Sequence, residues 1–488
     1  MRRQDRQSGD LDAAKPRFAE AEHAMAGVPD GSAPPWAKTE ELRTLPATIA
    51  IYRASIAQSR GDVAGTAEHA RRALSLAGPD DHLARGGAAG FLGLAAWARG
   101  DVSSALKTFT QAVASLRAGG NLVDELSSTV ILADMWLAAG RPSTARHLYL
   151  RALEVATAQG EPILRATPDL HVGLSELDRE VGDLEAANRH LEAAAAFDQR
   201  ASMTESRHRW FVASGRVAAA GGDPERALAL LDQAQRLYLP GFFPDVRPIA
   251  AMKARVQITQ GELAPAADWA RDRGVAATDE VSYLREFDHL TWVRLLIARH
   301  RELPTTDALG EALRLLAKLR EAAATSGRGG SLVEIQMLLA LARDAQGDRP
   351  RALESLNQAW SRTPEPSGYA RLFLDEGAPM RALLRAAEHH DAGGHARRLL
   401  SLGASVKGDA RTSGHPAPSS AGPLSEPLSE RELQVLRLLN SELTGPQIAR
   451  ELFVTLNTLR SHTKRIFIKL EVTSRRAAVA RARERGLL

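Results

Sequence analysis

Small apolar positions keep step with polar ones along most of this chain. A glycine followed by an acidic or polar residue occurs at Gly9, Gly61, Gly100, Gly140, Gly182, Gly222, Gly261 and Gly347, with intervals of 52, 39, 40, 42, 40, 39 and 86 residues. An alanine stands five positions after that glycine in seven of the eight units: Ala14, Ala105, Ala145, Ala187, Ala227, Ala266 and Ala352. Another stands twelve positions after it in seven: Ala21, Ala73, Ala112, Ala152, Ala194, Ala234 and Ala359. Five and twelve differ by two helical turns, so both alanines lie on one helix face, where a neighbouring helix approaches closely. The glycine suits the left-handed stop of one helix, and the residue after it (Asp10, Asp62, Asp101, Asp183, Asp223 and Asp348) suits the N-cap of the next. Pro142 and Pro224 follow where a first-turn proline is tolerated. Each unit therefore predicts helix, tight turn, helix, and stacked pairs of this kind build an α-solenoid. The interval of 52 contains a Pro/Gly-rich insertion from Gly27 to Trp36, and the interval of 86 spans two periods with a degenerate unit near Glu302. Asp10 to Ala26 reads as the second helix of a pair whose first helix is missing.

The spacing resembles tetratricopeptide repeats but is longer than their usual ~34 residues. Ala370 to Leu402 remains helical in pattern. From Gly403 to Pro427 the sequence turns to Gly, Ser, Pro and Ala, a linker composition. The expected organisation is an all-α chain with a tetratricopeptide-like solenoid over 1–402, a linker over 403–427 and a four-helix domain over 428–488.

That last segment divides into helices by its caps. Ser429 with Glu432 forms a capping box ahead of Leu433, Leu436 and Leu439. Thr444 with Gln447 forms a second, ahead of Ile448, Ala449 and Leu452. Asn457 to Leu470 predicts a third helix with Leu459, Thr463, Ile466 and Leu470 as its buried stripe. Ser474 to Arg485 predicts a fourth, with Ala478, Val479 and Ala482 inward. Charge follows the same division. Residues 428–488 hold twelve Lys and Arg against six Asp and Glu, leaving 51 basic and 53 acidic residues in the first 427. A compact basic segment on a nearly neutral body points to a polyanion partner for the tail.

Two short helices joined by a turn, the second with a basic outer face, predict a helix-turn-helix that enters a DNA major groove. Arg460 and Lys464 are placed to read guanine, and Arg465, Lys469, Arg475 and Arg476 to hold phosphates. His462 is either a phosphate contact or an edge residue. From LSERELQVLRLL through IARELFVTLNTLRSHTKRIFIKLEVTSRRAAVARARERGLL, the segment resembles the LuxR-type helix-turn-helix domain along essentially its whole length. The resemblance implies that Asn457, Thr458, Arg460, Ser461 and Lys464 face DNA and that the fourth helix serves as a dimer contact. Glu471 and Glu442 stand where that family usually has Gly, and Leu456 where a small or polar residue is commoner. In the body, PDVRP, DWARDRG, YLREF and GYARLFLDEG resemble the helical half of the large ATP-binding LuxR-type regulators. Their N-terminal ATPase is expected to be absent from this chain. No G-x-x-x-x-G-K-[ST] occurs, and Gly327-Arg328-Gly329-Gly330 lacks the lysine and a preceding strand.

Tyr238, Phe242, Phe243, Trp269 and Tyr283 form the densest aromatic neighbourhood in a chain with 5% aromatics. They either fill the gap made by the loop from Leu239 to Pro248 or line an effector pocket. His389, His390 and His395 with Asp391 read as a solvated turn, so no metal is expected. The chain has no cysteine, which excludes a disulfide framework, thiolate metal sites and a catalytic cysteine. No catalytic motif is present, and the many acids are expected mostly at caps and on solvated helix faces. The longest near-apolar run, Gly86 to Ala98, is too short to span a bilayer. The reading is a cytoplasmic, non-enzymatic transcription regulator without a cofactor. Its expected partners are double-stranded promoter DNA, a second copy on a two-part site, RNA polymerase, and a small-molecule or protein effector on the solenoid. The alternative is a repeat scaffold for protein partners with an accessory tail.

Overall fold

A computed structural model describes residues 16–21, 23, 39–160, 164–197, 207–241, 243–276, 278–304, 307–361, 365–389, 391 and 393–410. Toward the C-terminus it describes residues 435, 436, 438–440, 447, 448, 459, 463, 466, 469, 472, 478, 479, 481 and 482. The chain divides into two compact units, Met1–Arg411 and Thr412–Leu488. Every regular element among the described residues is helical.

The first unit stacks helix hairpins. In order they are α1 (Thr39–Ser59) with α2 (Val63–Leu76), α3 (His82–Ala98) with α4 (Val102–Ala118), α5 (Leu122–Ala138) with α6 (Pro142–Ala158), and α7 (Thr167–Val181) with α8 (Leu184–Ala195). Next come α9 (Arg207–Ala220) with α10 (Pro224–Leu237), α11 (Ile249–Thr259) with α12 (Leu263–Arg273), α13 (Tyr283–Glu302) with α14 (Ala308–Thr325), and α15 (Gly329–Ala345) with α16 (Arg349–Ser361). A short 3-10 turn, Pro366–Tyr369, leads into α17 (Ala370–Leu374), α18 (Gly377–Ala387) and α19 (His395–Ala410). Helix α19 runs across the 402/403 boundary expected from composition, where Ala404, Lys407 and Ala410 favour helix despite two glycines. Residues 411–427, the rest of the expected linker, lie outside the described residues.

The turn chemistry follows the repeat. Gly61, Gly100, Gly140, Gly182, Gly222, Gly261 and Gly347 all have positive φ, between 72° and 93°. Asp62, Asp101, Asp183, Asp223 and Asp348 each accept a hydrogen bond from the backbone N–H three residues on. Pro142 and Pro224 open their helices. Ala105, Ala145, Ala187, Ala227, Ala266 and Ala352 are wholly buried, and so is Thr66, the one exception to alanine at that position. The Thr66 hydroxyl donates back to the Asp62 carbonyl oxygen at 2.7 Å. The degenerate unit is also plain. Helix α13 ends at Leu303 in an extended conformation (φ −139°, ψ 94°) rather than at a left-handed glycine.

The solenoid closes on itself. Its largest apolar cluster lies among α13 to α19 and includes Leu315, Leu338, Phe373 and Leu384. That C-terminal block packs against the turn edge of the earlier hairpins. The Ser143 backbone N–H and hydroxyl donate to the two Glu365 carboxylate oxygens at 2.7 and 2.6 Å. Arg179 pairs with Asp375, Arg371 donates to the Ala220 carbonyl at 3.1 Å, and the Leu372 N–H donates to Glu180 at 2.9 Å. Glycines make the closest approach. A Cβ on Gly329 would lie 2.5 Å from the Ala139 carbonyl oxygen, one on Gly330 2.8 Å from that of Leu137, and one on Gly368 2.5 Å from Pro142. The glycine cluster at 327–330 is therefore part of a helix-to-helix seam.

Candidate nucleic-acid interface

The second unit has its own apolar core. Val435, Leu436, Leu439, Ile448, Leu459, Ile466, Ala478 and Ala482 are buried together, with Leu438, Val472 and Val479 against them. Of the expected inward residues, Leu436, Leu439, Ile448, Leu459, Ile466, Ala478 and Ala482 are buried as read from the pattern. Val435 was not in the expected stripe, although it directly precedes Leu436 and adds a second apolar column to the first helix. Leu459 and Ile466 lie two turns apart on one face. Thr463 between them is half-buried, and its hydroxyl donates to the Leu459 carbonyl oxygen at 2.9 Å. A hydroxyl satisfied by its own helix sits at a core margin at little cost.

Among the residues expected to meet DNA, Lys469 is described: it is helical and half-buried, three positions after Ile466. Asn457, Thr458, Arg460, Ser461, His462, Lys464, Arg465, Arg475 and Arg476 lie outside the described residues, as do Leu433, Ala449, Leu452, Leu470, Glu442, Leu456 and Glu471.

The aromatic set in the first unit is spread over several clusters. Tyr238 packs on Val212, Leu231, Ala234 and Ile249. Trp269 packs beside Ala254, Ala266, Ala270 and Leu295. Phe243 and Tyr283 are brought together against the Leu94–Met135 cluster. There the Tyr283 hydroxyl accepts from the Trp97 indole N–H at 3.2 Å, and the Arg328 guanidinium lies 5.2 Å from the Tyr283 ring. Phe242 lies outside the described residues. Asp391 accepts from the backbone N–H groups of Gly393 and Ala396 at the start of α19, and His395 packs on Trp360 with ring centres 5.5 Å apart. His389 is exposed, and His390 lies outside the described residues.

Asp62, Asp101, Asp183, Asp223 and Asp348 sit at caps as expected, but not every acid does. Beside the caps, a set of them is withdrawn into an ion-pair network across the first helices of successive hairpins. Arg209 pairs with Asp134 at 3.1 Å, and Arg216 with Glu176 at 2.7 Å and Glu180 at 3.3 Å. Arg255 and Arg294 share Glu334 at 2.9 and 2.8 Å, and Arg294 reaches Glu376 at 2.7 Å. Burial alone would raise the Glu334 carboxyl, but Arg255 and Arg294 outweigh it and hold the pKa down to about 2. Burial, with Arg294 nearby, lowers Arg255 to about 9, which leaves it a cation at neutral pH. Glu286 goes the other way: burial raises it despite Arg328 and Ser331. The available sequence signal was arginine at Arg209, Arg216, Arg255 and Arg294 on the first helices of their hairpins, close to apolar residues such as Phe211, Val217, Val256 and Leu295.

Comparison with known proteins follows the same two-part division. The model of the MalT-like TPR region matches residues 47–390. The model of bacterial regulatory proteins of the luxR family matches residues 426–482. The tail is 41% identical over 68 residues to the probable transcriptional regulatory protein NarL of Mycobacterium tuberculosis, 14% of this chain and 32% of that protein. It is 41% identical over 58 residues to the HTH-type transcriptional regulator AlkS of Alcanivorax borkumensis, 12% of this chain and 7% of that protein. The chain thus spans under a third of the length of these relatives. A crystal structure of a Rap protein complexed with competence and sporulation factor superposes with a TM-score of 0.51 at 12% identity, over 75% of this chain and 94% of that one. At that identity the likeness is one of fold.

Proposed function

The chain belongs to the family with the MalT-like TPR region, and on that premise we propose that it is a sequence-specific DNA-binding regulator of transcription. Its repeat body receives a small-molecule or protein effector, and its C-terminal domain reads promoter DNA. The observation that carries this is the luxR-family match over 426–482, on a segment whose Leu436, Leu459, Ile466 and Ala478 form a core of their own. A third helix that turns Leu459 and Ile466 inward has its remaining faces for other contacts. In this reading Arg460 and Lys464, one turn apart in the sequence, read guanine, while Asn457, Thr458 and Ser461 complete the base-facing set. Arg465, Lys469, Arg475 and Arg476 neutralise phosphates. A domain this small makes few base contacts, so two copies on a two-part site are proposed, with RNA polymerase as a further partner in the cytoplasm. No helix among the described residues is long and apolar enough to cross a membrane.

The test is fluorescence anisotropy of the full chain on genomic fragments against competitor DNA over a range of salt. Selective binding is expected, with log K falling by about 0.9 per unit of log salt for each phosphate neutralised. Arg460→Ala is expected to cost roughly 1–3 kcal/mol on the preferred site alone. Arg475→Ala should weaken all sequences alike and flatten the salt slope by about one unit. No preference over competitor at moderate salt would refute DNA reading and leave a repeat scaffold.

A further inference from the structure

The repeat fails at one place, and a groove opens there. At Gly61, Gly100, Gly140, Gly182, Gly222, Gly261 and Gly347 the chain turns on one left-handed glycine. Helix α13 instead runs for 20 residues and stops at extended Leu303, and the next helix begins only at Ala308. A groove of about 580 Å³ lies between the start of α12 and the facing ends of α13 and α14. That lies within the usual range for small-molecule sites, roughly 300–1,000 Å³. Leu263, Trp292, Leu296 and Ala308 form its apolar wall. Leu303 stands on the rim at 68% exposure, the most exposed large apolar side chain among the described residues.

We propose that this groove binds a small organic cation with an apolar body, such as an aromatic or alkyl ammonium. The charge around it selects the sign. Glu302, Asp307 and Glu311 face one cation, Arg299. Asp307 is paired with Arg314 at 3.0 Å, and Glu311 accepts the Trp292 indole N–H at 3.0 Å. Glu302 has no ion-pair partner among the described residues. The Arg299 guanidinium lies 5.9 Å from the Trp292 ring centre, so this aromatic face already attracts an exposed cation. An ammonium entering the groove takes up that role and meets the Glu302 carboxylate, while its apolar body covers Leu303 and Leu263. With Asp307 held by Arg314, an anion still meets the Glu302 and Glu311 carboxylates against the single Arg299 cation, and a neutral analogue desolvates them without compensation.

This inference does not depend on DNA binding. It is tested on the full chain without DNA by titration calorimetry with 2-phenylethylamine, using 2-phenylethanol and 3-phenylpropionate as controls. Saturable binding of the amine is expected, about tenfold tighter than either control. Glu302→Gln and Leu303→Ser, both exposed positions, are each expected to weaken it about threefold while leaving the melting temperature unchanged. Equal binding of the three probes, no saturation by the amine, or unchanged affinity in both variants overturns the proposal. Repeating the anisotropy assay with saturating amine then asks separately whether this site is the effector site.

Discussion

Single residues decide where this solenoid tolerates charge. Glu334 lies between two guanidiniums, at 2.9 Å from Arg255 and 2.8 Å from Arg294, so its removal takes the ion-pair partner from Arg255 and leaves Arg294 with Glu376 alone. Breaking a buried pair from one side costs about 3–5 kcal/mol, and the partial exposure of Glu334 and Arg255 argues for the lower end. Glu334→Gln is therefore expected to lower unfolding stability by about 3 kcal/mol in urea titrations at pH 7. The pH dependence has a definite sign. A carboxyl held near pKa 2 when folded, against about 4.3 when unfolded, stabilises the fold above the unfolded value. That contribution is lost as pH falls from about 4.5 toward 2. Glu176 and Asp375, also lowered by neighbouring arginines against the burial that raises them, contribute with the same sign. The Gln variant should start less stable and lose less on acidification. An acid limb identical to that of the parent chain would show that Glu334 is not depressed.

At the scale of the element, the repeat was legible because its requirements are local. A left-handed helix stop selects glycine, a cap selects aspartate, and a close helix crossing selects alanine, each readable without knowledge of the partner. The same logic predicts how the crossings respond to substitution. Ala227 is wholly buried, and Gly215 on the facing helix leaves only 3.1 Å between a would-be Cβ and the Ala227 carbonyl oxygen. Ala227→Leu should cost roughly 1–3 kcal/mol by overpacking. Thr66→Ala restores the repeat residue and removes only a hydroxyl bonded within its own turn, so its effect should stay within about 1 kcal/mol in the same urea assay. What could not be read was the set of partners far away in sequence. Nothing local tells Ser143 that it faces Glu365, or marks Arg255 and Arg294 as sharing one carboxylate. The glycines at 329 and 330 belong to a cluster that the sequence marks only as no phosphate loop, and their need for glycine shows once Ala139 and Leu137 are seen beside them. In the tail, Leu436, Leu459 and Ile466 announced the core by helical spacing, whereas Val435 escaped because a single stripe was assumed.

On the scale of the whole repeat body, closure changes how the molecule should unfold. An open solenoid touches only neighbouring repeats, so its ends fray and its stability is a sum of nearest-neighbour terms. Here Arg328 approaches the Gly100 carbonyl across 228 positions, and Ser143 meets Glu365 across 222. Hairpins α3–α4 through α9–α10 are thereby tied to α15–α17, and those elements should gain and lose hydrogen-exchange protection as one unit. Helix α1 is tied elsewhere, its Ser59 carbonyl oxygen lying 2.3 Å from a would-be Cβ on Gly241, so α1 and α2 should open independently of the α15–α17 seam. Gly329→Val tests this tie, because its side chain would press into the Ala139 carbonyl, which as backbone cannot swing aside. Protection of α5 and α15 is expected to fall together by about 2 kcal/mol in that variant, while α1 and α2 keep their parent rates. Gly261→Ala, at a positive φ with open space around it, should cost about 1 kcal/mol through its own backbone and leave the seam intact. If both variants lowered protection only beside the substituted residue, the body would be behaving as an open stack, and the long-range contacts would add nothing to its cooperativity.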